Sequence, residues 1–211
     1  GSLDPEFNPP RLSELSSLVG LTVRPDGKAV VATSFAVMLL NGDGSADTSF
    51  QFEGVSFLTK FAFQPDGAFL LHNDVGSIFD YSTVQRYRPN GSRDQTFRAP
   101  FFSPREGGDQ VVAIAANPDG SVLFAGGFYS IYGIRLPGLA KLHSDGVLDL
   151  DFHPQMPGGA FEVVFVSVQP DGKFLLLVYR FHRVVYPIGG PVPGDSLIRL
   201  NPDGSLARGA E

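Results

Sequence analysis

Apolar and polar residues alternate along the chain in short segments that flank a recurring Pro-Asp-Gly turn. Before the four turns, apolar residues occupy alternate positions: Leu21 and Val23, Phe61 and Phe63, Ile114 and Ala116, Val166 and Val168. After each turn follows a continuous apolar run, read as AVVA, AFLLH, SVLFAGG and FLLLV. Alternation beside Gly and Pro predicts a strand, and a short continuous apolar run predicts a strand buried on both faces.

The turn has the residues that a tight hairpin requires. The sequences are RPDGK (24–28), QPDGA (64–68), NPDGS (117–121) and QPDGK (169–173). Proline presets φ near about −65° at the first turn position, Asp suits the second, and Gly accepts the left-handed third. Each turn is therefore predicted to join two antiparallel strands.

A second glycine signal ends each unit: LLNGDGSADTSF (39–50), RYRPNGSRDQTF (86–97), KLHSDGVLDLDF (141–152) and RLNPDGSLARGA (199–210). A third strand is predicted before each of these signals, at Val37–Leu40, Val84–Tyr87, Leu139–Leu142 and Leu197–Leu200. The opening residues GSLDPEF (1–7) carry the end of the same signal. We interpret 1–211 as one repeat domain with units near 8–50, 51–97, 98–152 and 153–211. Residues 1–7 either complete the last unit or are partly cloning residue.

The repeat predicts an all-β, β-propeller-like fold with four units of three to four antiparallel strands. A fourth strand is expected after the Asp-x-x-Phe stretch, and the one candidate for helix is RLSELSSL (11–18). A sheet this small cannot cover both of its apolar faces, and units of roughly 40–60 residues that stack face to face are typical of propellers. The protein is then four-bladed or part of a larger ring. A β-sandwich and a linear β-solenoid are the alternatives.

These motifs resemble the delta-60 repeat, a bacterial β-propeller-type family. Its pattern is an apolar strand, Gln-Pro-Asp-Gly-Lys, a second apolar strand and a tail of the type Asn-x-Asp-Gly-Ser-Leu-Asp-x-x-Phe, and residues 116–152 match it best. The resemblance implies a secreted or cell-surface bacterial protein and supplies no catalytic residues. The fourth unit departs from the pattern, because Ala207 replaces the Asp and no Phe follows.

The composition and charge of the chain argue against several classes of partner and cofactor. A net charge of −6 without a basic stripe argues against nucleic acid, because phosphate binding needs clustered Lys and Arg. The absence of Cys excludes disulfides and thiolate metal sites. No apolar run reaches the roughly 18 residues of a membrane span. We therefore predict no nucleic-acid partner and no membrane insertion, and, without a phosphate loop or nucleotide fingerprint, no cofactor.

Calcium is the first site chemistry to consider. The first unit places oxygen-bearing side chains at alternate positions of one loop: Asn41, Asp43, Ser45 and Asp47. Such spacing resembles Ca²⁺ loops, in which a hard cation takes six to eight oxygens. The repeats favour a simple turn, because Arg88, His143 and Ala207 stand where the other units should keep ligands. A calcium site at Asn41, Asp43 and Asp47 stays as the weaker alternative.

Acid–base catalysis is also weakly indicated. Asp145, Asp149 and Asp151 lie close together, but on the second turn, where aspartate is explained as a backbone acceptor. A glycosidase needs two carboxylates at a set separation in a cleft. The four histidines, which are His72, His143, His153 and His182, form no His-x-x-x-His pair. No catalytic residue is assigned.

Two longer loops are the candidates for binding. They are FYSIYGIRLPG (128–138) and YRFHRVVYPIGGPVPGD (179–195). Insertions on one face of a propeller often carry binding surfaces, and exposed Tyr and Arg anchor interfaces. Some of these aromatic residues are expected to pack between blades instead. The predicted ligand-binding residues are Tyr129, Tyr132, Arg135, His182, Arg183 and Tyr186.

The sequence thus predicts a non-catalytic scaffold or binding module of a secreted or cell-surface bacterial protein that recognises protein or glycan. The alternatives are a hydrolase with its active site at the central channel and a calcium-dependent adhesion module. A homodimer is expected if one chain does not close the ring, because an open ring would leave apolar end faces uncovered.

Overall fold

The computed structural model describes residues 2–10, 17–54, 58–73, 83–100, 102–104, 111–126, 128–136, 138–156, 161–180 and 196–207. The strands are β1 (Leu18–Val23), β2 (Ala29–Thr33), β3 (Val37–Leu40), β4 (Leu58–Phe63), β5 (Phe69–Asn73), β6 (Thr83–Tyr87), β7 (Phe102–Pro104), β8 (Ala113–Ala116), β9 (Val122–Ala125), β10 (Phe128–Ile131), β11 (Ile134–Arg135), β12 (Leu139–Leu142), β13 (Phe161–Val168), β14 (Phe174–Arg180) and β15 (Ser196–Leu200). No helix occurs in these ranges, and accordingly none that could cross a membrane. The all-β prediction is confirmed.

Four of the sheets are the predicted repeat units. Each is antiparallel and three-stranded, in the orders β1-β2-β3, β4-β5-β6, β12-β9-β8 and β13-β14-β15. We call them the first to fourth blades. Each blade contains a Pro-Asp-Gly hairpin, followed by the third strand. The predicted third strands are confirmed to within one residue, since β6 begins at Thr83 and β15 at Ser196.

The two recurring turns have the predicted chemistry. In the first blade, the Gly27 N–H donates to the Arg24 carbonyl at 2.9 Å, and Asp26 Oδ1 accepts from the Lys28 N–H at 3.2 Å. The turn glycines of all four blades have positive φ: Gly27, Gly44, Gly67, Gly91, Gly120, Gly146, Gly172 and Gly204. The aspartate before each Pro-Asp-Gly glycine is therefore a backbone acceptor that holds the turn closed.

The residues after each second turn, which we call the tail, differ from the predicted fourth strand. Among the described residues one such strand follows a tail, β7 after Phe97, and it pairs with β10 in a separate sheet, β11-β10-β7. Of the helix candidate, residues 11–16 lie outside the described residues, and Leu18 begins β1. Leu18 is thus in a strand, where it pairs with Thr33 of β2.

The chain divides into two compact units, residues 1–98 and 99–211. In the first unit, the first and second blades pack face to face around one buried core: Val30, Ala32, Val37, Leu39, Leu58, Phe69, Leu71 and Tyr87. Each large apolar side chain of this kind contributes roughly 1.5–3 kcal/mol when fully buried. Face-to-face packing of small sheets is the layering of a propeller.

In the second unit, the third and fourth blades pack around an equivalent core. Its larger members are Leu123, Leu139, Phe152, Val163, Val166, Phe174, Leu176, Val178, Ile198 and Leu200. Phe152 belongs to the tail rather than to a strand, and its ring meets the Phe174 ring edge-on at 5.9 Å. The tail of the third blade is thus part of the core of this unit, which fixes the residues on either side of it.

Candidate functional site

The predicted loop at 128–138 forms a β-hairpin, with β10 between β7 and β11. Ile131 pairs with Ile134, so Tyr132 and Gly133 are the two central turn residues, with φ of 52° and 78°. Positive φ at both positions is the type I′ geometry that favours Asn-Gly. A tyrosine in this left-handed region costs roughly 1–2 kcal/mol. Tyr132 is nevertheless 68% exposed, so packing does not explain its presence.

A surface groove of about 370 Å³ lies where this hairpin meets the tail of the third blade. Its lining is largely apolar: Ile134, Leu136, Leu148, Asp149, Leu150, Phe152, His153, Pro154 and Gln155. Leu148 and Phe152 are buried, whereas Ile134 and Leu150 remain exposed. The groove therefore has a buried apolar base and exposed apolar side chains around it.

Backbone hydrogen bonds fix the tail that forms one wall of the groove. The Asp149 N–H donates to the Lys141 carbonyl at 2.9 Å. Further along, the His153 N–H donates to the Asp203 carbonyl at 3.2 Å, and the Gln155 N–H donates to the Gly204 carbonyl at 2.8 Å. The tail is held by its own blade at one end and by the fourth blade at the other. The groove is thus largely pre-formed, as ligand pockets usually are.

Among the described residues, one carboxylate lines the groove, and it is already paired. Asp149 is buried, with Lys141 Nζ 3.1 Å from Oδ2 and His143 Nε2 4.0 Å from Oδ1. Burial acts to raise the pKa of Asp149, but the hydrogen bond and positive charge of Lys141 outweigh it and lower the pKa below its usual value. Asp149 is therefore an ionised carboxylate whose charge is balanced by Lys141, and the remaining lining of the groove is mainly apolar.

The other two aspartates considered for acid–base catalysis are Asp145, in the second turn of the third blade, and Asp151, in its tail. Asp145 Oδ1 accepts from the Val147 N–H at 3.0 Å. Asp151 donates its N–H to Asp149 Oδ1 at 3.0 Å. These contacts are the backbone role that the repeat pattern predicts for Asp145 and Asp149.

The calcium alternative concerns the second turn of the first blade. Asp43 Oδ1 accepts from the Ser45 N–H and hydroxyl at 2.9 and 2.6 Å. Asn41 donates its amide to the Ser45 hydroxyl, and Asp47 accepts from Lys28 Nζ at 2.6 Å. The hydrogen bond from Lys28 holds the pKa of Asp47 well below its usual range. A cation would have to displace Lys28, and the part of the chain that the structure describes holds no group of three His, Asp or Glu that could bind a metal ion.

The predicted binding residues are distributed over two regions. Tyr132 lies at the hairpin tip, while Tyr129 and Arg135 belong to β10 and β11 of the same hairpin. His182, Arg183 and Tyr186 lie outside the described residues. Sequence analysis did not identify Leu136, Leu150 and the other apolar groove residues. One signal was available: Leu150 stands where the first and second blades have Thr48 and Gln95.

Comparisons with known proteins support the fold. The model of the DUF5122 β-propeller family, a domain of unknown function, matches residues 24–50 and 117–152. These two segments contain turns of the first and third blades. A search of curated proteins gives no significant match. The chain is thus similar to a β-propeller family in the residues that build its hairpins.

Several solved structures are similar in fold. A gluconolactonase from Xanthomonas campestris has a TM-score of 0.53 at 16% identity, with 90% of this chain and 60% of that chain covered. Regucalcin, a calcium-binding protein from Agrobacterium tumefaciens, has a TM-score of 0.54 at 12% identity, covering 90% and 59%. PorZ, a surface component of the type IX secretion system of Porphyromonas gingivalis, has a TM-score of 0.53 at 10% identity, covering 90% and 27%. The chain spans less than two thirds of each, and identity this low shows the fold alone.

Proposed function

We propose that the chain is a non-catalytic β-propeller binding module whose groove holds an apolar segment of a partner protein. The supporting observation is the groove between the 128–135 hairpin and the tail of the third blade, with exposed Ile134 and Leu150 beside it. Exposed apolar side chains grouped around a concave surface are typical of interaction sites.

The dimensions and charge of the groove favour a peptide segment. Its volume of about 370 Å³ accommodates one or two large side chains. Since Asp149 is neutralised by Lys141, an apolar side chain entering the groove meets no unpaired carboxylate at that position. A glycan would need several convergent hydrogen-bonding groups, and His153 and Gln155 supply few. A protein partner is therefore favoured over a glycan.

Tyr132 gives the site an anchor next to the groove. Its left-handed backbone is energetically costly, and its side chain is exposed. Strained residues of this kind persist chiefly where they serve a function. A tyrosine at a hairpin tip can bury a large area against a partner at low entropy cost. Tyr129 and Arg135, in β10 and β11 of the same hairpin, stay predicted binding residues.

We further propose that the protein is of the delta-60 repeat type and acts outside the bacterial cell or on its surface. The Pro-Asp-Gly and Asp-x-x-Phe repeats support the first statement. A fold likeness to PorZ, which is described as a bacterial surface component, is compatible with the second. When cells of the producing bacterium are fractionated, we expect the natural protein in the medium or at the cell surface.

A hydrolase is the second candidate, favoured by the fold likeness to a gluconolactonase. This alternative predicts that the protein raises the rate of lactone hydrolysis above the rate in buffer alone, with or without added divalent cations. We expect no such acceleration. The calcium-dependent alternative predicts that Ca²⁺ raises the melting temperature and that Asp43→Asn removes the effect. We expect the melting temperature to be unchanged by Ca²⁺.

The binding site is tested by selecting peptides from a random displayed library on the immobilised chain. We expect enriched peptides with Leu, Phe or Trp, and a loss of affinity of at least roughly tenfold on Ile134→Asp and Leu150→Asp. Phe35→Asp, at an exposed apolar residue of the first blade, is the matched control and should bind normally. The proposal would be refuted if the selected peptides bound all three variants equally. It would also be refuted if selection on the immobilised chain enriched no peptide.

A further inference from the structure

The first three blades each hold a carboxylate at the same place, three residues after the second-turn glycine. These carboxylates belong to Asp47, Asp94 and Asp149. All three side chains are nearly buried. A nearly buried charge is costly unless it is paired and hydrogen-bonded. Each of these blades therefore needs a cation beside its tail aspartate.

The cation comes from one of two positions in the blade. In the first blade it is Lys28, directly after the Pro-Asp-Gly glycine, and its Nζ lies 2.6 Å from Asp47 Oδ2. In the second blade it is Arg86, five residues before the second-turn glycine, and its Nη2 lies 2.7 Å from Asp94 Oδ2. Lys141 has the same position in the third blade. The position that is not used carries no charge in these blades: Leu39, Ala68 and Ser121.

The fourth blade has a cation at both positions and lacks the carboxylate. Lys173 follows the Pro-Asp-Gly glycine, as Lys28 does, and Arg199 stands five residues before the second-turn glycine. Ala207 replaces the tail aspartate. Lys173 Nζ contacts Asp171 of its own turn instead. Within the described residues of the second unit, no carboxylate forms an ion pair with Arg199.

The backbone of the fourth blade brings both cations to the place of the missing carboxylate. Leu175 pairs with Arg199, and Lys173 lies two residues before Leu175, so the Lys173 and Arg199 side chains are diagonal neighbours on one face. The Ala207 N–H donates to the Arg199 carbonyl at 2.8 Å, as the tail aspartates of the other blades do to their third strands. The Cβ atom of Ala207 therefore stands where the side chain of a tail aspartate begins.

Two neighbouring cations favour an anion between them. Like charges on adjacent strands repel, and the exposed contact of Lys173 with Asp171 offsets little of this repulsion. A carboxylate would accept charge-assisted hydrogen bonds from both groups. The planar guanidinium of arginine suits this contact, as the second blade shows: Arg86 Nε and Nη2 lie 2.8 and 2.7 Å from Asp94 Oδ2.

We propose that Lys173 and Arg199 form a binding site for a carboxylate that the tail of the fourth blade does not supply. The ligand is a free small carboxylate or the acidic side chain of a peptide, which present the same group to the site. Strand pairing within the fourth blade positions both cations. The site is distinct from the apolar groove of the third blade, whose lining includes neither residue.

NMR of the arginine side chains tests the site in the 211-residue chain. Sodium acetate replaces sodium chloride at constant ionic strength, so that screening does not change during the titration. The Arg199 Nε signal should shift and saturate, whereas the Arg86 Nε signal should not move, because Asp94 already occupies its site. The proposal would be overturned if Arg199 did not respond to acetate, or if Arg86 responded equally.

Selection of displayed peptides on the wild type and on Arg199→Gln in parallel distinguishes the two sources of the carboxylate. An acidic peptide ligand predicts peptides with Asp or Glu that bind the wild type at least roughly tenfold more tightly than the variant. A free small carboxylate predicts no such peptides, together with the acetate-dependent shift of Arg199. Absence of both results would overturn the proposal.

Ala207→Asp restores the carboxylate that the other blades carry. It should abolish the acetate-dependent shift of Arg199 and raise the melting temperature by roughly 1–3 °C, because the tail is then paired with a cation. Ala207→Ser, which adds no charge, is the matched control and should respond to acetate as the wild type does. If Ala207→Asp does not fold, Lys173→Gln still tests the site, and it should weaken acetate binding at least roughly threefold. An unchanged acetate response in Ala207→Asp or in Lys173→Gln would contradict the proposal.

Discussion

Gly20 of the first blade lies directly against the ring of Phe61 of the second blade. A Cβ atom on Gly20 would be 2.7 Å from Phe61 Cδ1 and 2.9 Å from Phe61 Cβ, which is closer than side-chain carbons approach. The missing side chain therefore sets the distance between the two sheets of the first unit. The core that they share depends on this contact.

Gly20→Ala should destabilise the protein by roughly 1–3 kcal/mol, because the added methyl group overpacks the interface between the first two blades. Gly42→Ala is the matched control. A Cβ atom on Gly42 would contact nothing within 4 Å, so this substitution should change stability by less than about 0.5 kcal/mol. Urea unfolding of both variants measures the difference, and equal midpoints would contradict the packing described.

Two turn glycines should respond differently to alanine. Gly27 and Gly91 have similar φ of 81° and 90°, so each substitution incurs a backbone cost of roughly 1–2 kcal/mol. At Gly91 the new Cβ would also lie 2.4 Å from the Gln51 carbonyl oxygen, whereas at Gly27 no atom lies within 4 Å. Gly91→Ala should therefore cost roughly 1–3 kcal/mol more than Gly27→Ala. Thermal unfolding of the two variants compares them, and equal losses would show that tail docking contributes nothing.

The hairpins could be predicted from sequence because their cause is local. Pro25, Asp26 and Gly27 determine a turn without reference to the rest of the chain, and the alternation around Leu21 identifies the strand beside it. The close approach of Gln51 to Gly91 could not be predicted, because the same glycine is already required by its positive φ. The turn motif explains why Gly91 must be glycine, but it does not reveal that the Gln51 carbonyl also requires the missing side chain.

Stability should fall in acid as Asp94 is protonated. Burial acts to raise the pKa of Asp94, but hydrogen bonds from Thr96 and Arg86 outweigh it and lower the pKa from 3.8 to about 2. Because the folded pKa is the lower one, the stabilisation is present above pH 3.8 and is lost as the pH falls to about 2. Its size is roughly 1–2 kcal/mol after allowance for solvent screening.

Asp94→Asn removes this contribution. Unfolding of the wild type and the variant from pH 7 to pH 2 should show a stability difference that is constant at high pH and shrinks between about pH 4 and pH 2. A difference that grows as the pH falls, or that does not depend on pH, would contradict the ion pair of Asp94 with Arg86, whose Nη2 lies 2.7 Å from Oδ2.

Tyr132→Asn should stabilise the hairpin, because Asn tolerates positive φ better than Tyr does. A gain of about 1 kcal/mol would raise the melting temperature by roughly 2–4 °C. Tyr132→Ala, which lacks the polar side chain that suits this backbone, is the control and should gain less. A fall in melting temperature for Tyr132→Asn would show that the Tyr132 side chain contributes packing that its 68% exposure does not indicate.

The groove could not be predicted because it joins distant parts of the chain. Sequence analysis chose Tyr132 and Arg135 by residue type, which is a local property. Leu136 and Pro154 meet in one groove only after β10 pairs with β7 and the tail docks on the turn at Gly204. Apolar residues such as Leu150 also read as ordinary core candidates until the structure shows that they are exposed.

The central claim is that the N-terminal segment and the tails of the first and third blades dock in the same way on the second turn of a blade. Amide hydrogen exchange followed by NMR tests it at the N–H groups of Asn8, Gln51 and His153, which donate to Asp43, Asn90 and Asp203. All three should exchange much more slowly than an unstructured peptide. Exchange of these amides at the unstructured rate, while those of β2 and β5 stay protected, would contradict the account.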